Sequence, residues 1–148
     1  MSRVQLALNV DDLEKSVAFY SSLFGTEPAK LRPGYANFAV AEPPLKLVLI
    51  ENPGEGGSIN HLGVEVVDTD AVDAEQARLA AVGLSSVDER GTTCCYARQD
   101  KFWVEGAPNG EQWEVYTVLA DSQTFEATTG DACCTTTAEG QRSEAACC

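Results

Sequence analysis

The chain repeats itself, and that repeat limits its architecture more than any other feature. Residues 4–10 (VQLALNV) align with residues 60–66 (NHLGVEV) at an offset of 56 residues, placing Gln5 on His61, Leu6 on Leu62, Leu8 on Val64 and Val10 on Val66. Two copies are too few for a solenoid, whose units need neighbours on both sides to bury a continuous core. A pair of modules facing each other across a pseudo-two-fold axis, each supplying a curved sheet, satisfies the pattern.

Each copy reads as βαβββ. VQLALNV is strand-like, with apolar residues on both faces. A helix is expected over Asp11–Gly25. Asp11 and Glu14 suit a capping-box-like start, Leu13, Val17, Tyr20 and Phe24 share one face, and Gly25 can end it. Short strands are expected near 27–32, 35–41 and 45–51, punctuated by Pro33-Gly34 and Pro43-Pro44. After a turn-rich connector (51–60) the order restarts. A strand is expected over His61–Val67, and a helix over 69–82 with Val72, Leu79 and Val82 on one side and Gly83 as its stop. Strands near 85–90, 101–105 and 112–119 follow. The fold class is α+β. One domain spans 1–120, with modules at about 1–52 and 60–120. From about 121 the chain is rich in Thr, Ala, Glu, Gly and Ser and almost free of large apolar residues. It reads as a disordered tail that carries Cys133, Cys134, Cys147 and Cys148.

The formal net charge of −13 repels nucleic acid phosphates and anionic membranes, so neither is an expected partner. No apolar run of about 18 residues is present to span a bilayer. The first residues, MSRVQLALNVDD, turn acidic too early for a secretory signal. A soluble, cytoplasmic protein is expected. In that compartment the six cysteines are not expected to form structural disulfides. They occur only as adjacent pairs, with no Cys-x-x-Cys.

Two constellations carry chemistry. Gln5 and His61 occupy matching positions of the repeat, so symmetric pairing of the modules points both into one cleft. Glu114 lies in QWEVYTV, where alternation puts Gln112, Glu114 and Tyr116 on one face and makes Glu114 an inward carboxylate. An amide oxygen, an imidazole and a carboxylate resemble the facial ligand set of non-haem Fe(II) oxygenases, which leaves positions open for O2, water or substrate. A lone strand histidine is otherwise a structural residue. The second constellation is Cys94-Cys95 in GTTCCYARQDKFWVEG (91–106). Soft thiolates prefer soft centres, and two thiolates complete the three-coordinate shell of a trivalent arsenic carrying one organic group; Cd(II) is another candidate. Neighbouring side chains on a regular strand point to opposite faces, so the pair can share one atom only from a loop or bulge. Gly91 and the run Ala97-Arg98-Gln99-Asp100 allow one. Two small semi-buried residues, or a vicinal disulfide, are the alternatives. Tyr96, Phe102, Trp103 and Trp113 flank the pair in sequence as candidate walls of an apolar pocket.

The paired modules, Gln5, His61 and Glu114, and the run GTTCCYARQDKFWV resemble the vicinal oxygen chelate (glyoxalase–bleomycin resistance–extradiol dioxygenase) superfamily. Within it, the chain is similar to the ArsI-type carbon–arsenic lyases, relatives of cadmium-induced proteins. The stretches MSRVQLALNV and PGYANFAVAEPPLKLVLIENPGEGGSINHLGVEV make the resemblance specific over roughly residues 1–125. It implies an Fe(II)-dependent dioxygenase, with O2 as co-substrate, that releases arsenite from methylarsenite and aromatic trivalent arsenicals. Iron would sit on Gln5, His61 and Glu114, and arsenic on Cys94 and Cys95. Glutamine in place of the commoner first histidine is a departure compatible with this subfamily. A glyoxalase-like isomerase or thiol transferase is a rival on the same fold. Such enzymes use a fourth ligand from the first module, where LKLVLIE is apolar at its centre. A non-catalytic arsenic- or cadmium-sequestering protein is the rival from another class. Modules of this kind pair within one chain or exchange between two, which leaves a homodimer open.

Overall fold

A computed structural model describes residues 2–126. Two βαβββ modules follow each other in sequence. The first holds β1 (Arg3–Val10), α1 (Leu13–Phe24), β2 (Lys30–Arg32), β3 (Tyr35–Val40) and β4 (Leu45–Glu51). The second holds β5 (Ile59–Glu65), α2 (Thr69–Ala81), β6 (Ser86–Cys94), β7 (Ala97–Val104) and β8 (Trp113–Asp121). The expected pairing of two curved module sheets is observed, and the two four-stranded halves join edge to edge into one eight-stranded mixed sheet, ordered β2-β3-β4-β1-β5-β8-β7-β6. The modules join where β1 runs antiparallel to β5. Each of these strands pairs in parallel with the last strand of its own module, β4 or β8.

The sheet curls into a half-barrel. Lys30 on β2 and Tyr35 on β3 stand near one end of the strand order, and the β6–β7 turn stands at the other. Yet Lys30 Nζ donates to the Tyr96 carbonyl at 2.9 Å and pairs with Asp121 at 2.7 Å, and the Tyr35 and Tyr96 rings lie 5.4 Å apart. Alternation then sorts side chains between two surfaces. Leu6, Leu8 and Val10 join Phe38, Leu47 and Leu49 beneath the Leu13, Val17, Tyr20 and Phe24 stripe of α1. Val72 and Leu79 of α2 cover Phe102, Val115 and Val64 in the same way. Burial of each such large side chain stabilises the fold by about 1.5–3 kcal/mol. The other surface is concave and carries Gln5, His61, Glu65, Lys101, Glu114 and Tyr116.

Local chemistry moves several expected boundaries. Asp12, not Asp11, caps α1, with its Oδ1 accepting from Lys15 N at 3.0 Å. Asp11 turns instead to the connector, accepting from the amides of Gly54 and Gly56 at 2.7 and 3.2 Å. Helix α2 ends at Ala81, so Val82 lies beyond it and is exposed. The expected loop at residues 97–100 is the start of β7, and β6 continues to Cys94. Gly91 makes this possible. It adopts a left-handed φ of 59° beside a register shift, and its N–H is held by Asp100 Oδ1 at 2.7 Å. Residues 122–126, which composition assigns to the tail, also touch the body. Glu126 bridges to Cys94, and the Phe125 carbonyl accepts from Cys95 N at 2.8 Å.

Candidate metal and thiol site

Three neighbouring strands build the first constellation. In the sheet register Gln5 on β1 opposes Gly63 on β5, and Gly63 opposes Glu114 on β8. His61 lies two residues before Gly63, so it shares that face. Gly63 keeps the space between these side chains clear. A Cβ there would stand 3.1 Å from Glu114 Cγ and 3.4 Å from Gln5 Cβ. Gln5, His61 and Glu114 are 4%, 1% and 3% exposed, so their polar heads must satisfy one another. Gln5 Nε2 donates to Glu114 Oε1 at 2.9 Å and lies 3.0 Å from His61 Nε2; His61 Nε2 and Glu114 Oε1 are 3.4 Å apart.

Two residues that local sequence patterns do not single out, Asn60 and Lys101, help to hold this triangle in place. Asn60 Oδ1 lies 2.8 Å from His61 Nδ1 and is itself followed by Asn9, whose Oδ1 accepts from Asn60 Nδ2 at 3.0 Å. The Asn60 oxygen takes the Nδ1–H and leaves the Nε2 lone pair facing the site. The fully buried Lys101 donates to Glu114 Oε2 at 3.1 Å and faces Glu89 at 3.7 Å, so one carboxylate oxygen is engaged and Oε1 points inward. Burial alone would raise the Glu114 carboxyl. The Lys101 ammonium outweighs it and holds the group well below the ordinary carboxylate range. Lys101 is shifted the other way: burial opposes its charge, but Glu114, Cys95 and Glu89 raise it above an ordinary lysine. The Trp103 ring stands edge-on to His61 at 5.7 Å and beneath the Lys101 ammonium at 4.7 Å. Tyr116 donates to Gln5 Oε1 at 2.5 Å. Burial, with Glu65 and Glu114 nearby, raises its phenol well above the usual value. Alternation along QWEVYTV already placed Tyr116 on the Glu114 face, whereas Gln112 precedes β8 and is exposed.

The donor set fits a divalent cation. Octahedral bonds of about 2.1 Å space adjacent donors about 3.0 Å apart, close to the three separations observed. Turning the Gln5 amide about its last bond puts Oε1 where Nε2 stands with almost no change of shape. Among the described residues no fourth donor joins the set, for a structural reason. Val48 pairs with Ala7 as Glu114 pairs with Gly63, and Ala7 matches Gly63 in the repeat. The place of a second carboxylate is therefore filled by a buried valine.

Cys94 ends β6, and Cys95 and Tyr96 form the two-residue turn into β7, with φ of 53° and 60°. The break in the strand that a shared atom requires is present, and the two Sγ atoms lie 3.9 Å apart. Cys94 is fully buried. Cys95 joins the concave cluster of Ala7, Tyr35, Val48 and Ile50, together with Tyr96 and Phe125. Ala7 pairs with His61, so the turn and the triangle share one surface. The Cys95 sulfur also acts electrostatically on Lys46 and Lys101. Of the expected aromatic walls, Tyr96 and Trp103 face this region. Phe102 is convex core, and Trp113 is partly exposed. Cys133, Cys134, Cys147 and Cys148 lie outside the described residues. Among the described residues, no helix is long and apolar enough to cross a membrane.

The sequence model of the Glyoxalase/Bleomycin resistance protein/Dioxygenase superfamily matches residues 3–115. The chain is 70% identical over 125 residues to the cadmium-induced protein CadI of Mycobacterium tuberculosis, covering 84% of this chain and 82% of that one. It is 61% identical over 136 residues to the trivalent organoarsenical cleaving enzyme of Thermomonospora curvata, covering 91% and 89%. Among solved structures, the Mn(II)-bound glyoxalase of Novosphingobium aromaticivorans superposes with a TM-score of 0.55 at 22% identity. That match covers 88% of this chain and 44% of that one, and is a likeness of fold.

Proposed function

Because the chain belongs to the Glyoxalase/Bleomycin resistance protein/Dioxygenase superfamily, we propose that it cleaves the carbon–arsenic bond of trivalent organoarsenicals as an Fe(II)-dependent dioxygenase. Methylarsenite and aromatic arsenicals are the substrates, and arsenite and an oxidised organic fragment are the products. The reading is carried by the convergence of Gln5, His61 and Glu114 to within 3.4 Å of one another on the surface that also holds Cys95. The relative named for organoarsenical cleavage, 61% identical across nine-tenths of the chain, directs it to this substrate class.

Gln5 Oε1, His61 Nε2 and Glu114 Oε1 would hold the iron. When bound, it supplies the electron-transfer chemistry that lets O2 react at the carbon–arsenic bond. The chain's own residues do the rest. Cys94 and Cys95, both reduced, take the two exchangeable positions on arsenic and fix its orientation, replacing a bimolecular encounter with a held geometry. Lys46 and Lys101 direct positive charge at the Cys95 sulfur, which suits an anionic thiolate ligand. The Tyr35, Tyr96 and Phe125 rings, 5.4–6.1 Å apart, form an apolar wall for the organic substituent. Lys101 keeps Glu114 ionised and presents one oxygen only.

The test separates the two halves of the site. Cys94→Ser and Cys95→Ser should each abolish arsenite release from methylarsenite while Fe(II) still binds; release retained by either variant would sink the proposal. The vicinal thiols and the 70% identical cadmium-induced relative favour one other reading, stoichiometric capture of a soft ion without turnover. Capture consumes no O2, so O2 uptake coupled to substrate loss decides between the two.

A further inference from the structure

We propose that Glu65, acting through Tyr116, is a positioning residue that decides which end of the Gln5 amide faces the metal. This rests on the reading of Gln5 as a metal donor. Glu65 ends β5 on the concave surface. It is gripped by Arg3, whose Nε and Nη2 donate to its two oxygens at 2.9 and 3.3 Å, with Lys46 Nζ at 3.8 Å. It is thus held as a carboxylate, which can only accept. The Tyr116 hydroxyl lies between it and the ligand, 2.5 Å from Gln5 Oε1 and 3.2 Å from Glu65 Oε2.

A phenol has one hydrogen, so it can donate to only one of these oxygens at a time. In the structure the shorter contact is to Gln5, and the amide N–H groups point at Glu114 Oε1 and His61 Nε2. A cation between those two acceptors repels N–H and needs the amide oxygen. Turning the amide brings Nε2–H onto the Tyr116 oxygen, and the Tyr116 hydrogen swings to Glu65. The turned state keeps the Gln5–Tyr116 bond, with its direction reversed, and adds a charge-assisted bond to Glu65. An acceptor-only group at the end of the chain therefore favours the orientation that ligates metal. An amide at position 65 can donate back to Tyr116 and removes the preference.

The measurement is an anaerobic calorimetric titration of the metal-free full chain with Co(II), an air-stable probe for the same nitrogen and oxygen donors. Glu65→Gln should weaken binding roughly tenfold or more, the usual effect of losing an outer partner of a ligand. Tyr116→Phe, which leaves the Arg3–Glu65 pair intact, should also weaken it and stands in if Glu65→Gln does not fold. Because Glu65 acts through the phenol, the double variant should bind no worse than Tyr116→Phe alone. Binding by Glu65→Gln within about twofold of the parent, or single-variant effects that add as independent sites do, would overturn the relay. Zn(II)-loaded protein carrying isotope-labelled glutamine gives the orientation directly. Cross-relaxation of the Gln5 amide protons with the Tyr116 ring is expected, and with the His61 ring instead would overturn it. Failure of the underlying reading looks different: His61→Ala and Gln5→Ala would then bind Co(II) as tightly as the parent chain.

Discussion

Lys101→Met is the sharpest probe of how the site is held. The substitution keeps the apolar stem and removes the ammonium that lies 3.1 Å from Glu114 Oε2, in a pair that is 0% and 3% exposed. Breaking a buried pair from one side leaves a charge with no counterpart and costs about 3–5 kcal/mol. With a urea m-value of about 1.5 kcal/mol/M, the unfolding midpoint of the metal-free protein should fall by about 2–3 M at pH 7. The pH dependence is set by sign. In the parent, the folded Glu114 carboxyl is held below its ordinary value of 4.5. It contributes stability above that value, lost as pH falls through the lower folded one. In the variant, burial remains without its opposing ammonium, so the folded carboxyl moves above the ordinary value. That contribution is harmless below about pH 4.5 and destabilising above it. Glu89, already raised by burial and lowered by Lys101, moves the same way. The deficit should therefore be widest at pH 7 and narrow toward pH 5, and Lys101→Met combined with Glu114→Gln should recover most of it. A deficit below about 1 kcal/mol at pH 7, or one unchanged between pH 7 and 5, would mean that the Lys101 ammonium does not sustain the buried Glu114 carboxylate.

Gly63→Ala places a Cβ 3.1 Å from Glu114 Cγ; overpacking should destabilise the chain by about 1–3 kcal/mol, seen in urea melts, and weaken metal binding in the same titration. Val48→Glu installs a carboxylate at the position matching Glu114. Metal-free protein should lose several kcal/mol by desolvation, added Co(II) should restore it, and turnover should be lost because the open position is filled.

The helical stripes were legible from their own helical period, and the Gln5–His61 match because residues 4–10 and 60–66 repeat at an offset of 56 residues. The joining of β1 to β5 was not, since which strand pairs with which depends on the whole chain and leaves no local period. The turn-side halves of β6 and β7, between the expected strands near 85–90 and 101–105, escaped for a different reason. The inward residues here are Gln99 and Lys101, both buried, so an alternation of polar residues that faces a functional cleft reads like a solvated loop. The same inversion hid Lys101 and Glu65 as parts of the site, because a charge is read as exposed unless its partner is known. Asp11 and Asp12 are equally good caps by residue type, and only the connector amides that claim Asp11 decide between them.

O2-dependent carbon–arsenic cleavage is decided by reconstituting the metal-free chain with Fe(II) under nitrogen, adding methylarsenite with excess thiol, and then admitting O2 while following O2 uptake and arsenite together. Arsenite should appear only after O2 is admitted, in proportion to the O2 consumed and over many turnovers per chain. It should be absent when His61→Ala replaces the parent. Arsenite formed under nitrogen, uptake of methylarsenite that stops at one equivalent per chain, or unchanged turnover by His61→Ala would contradict it.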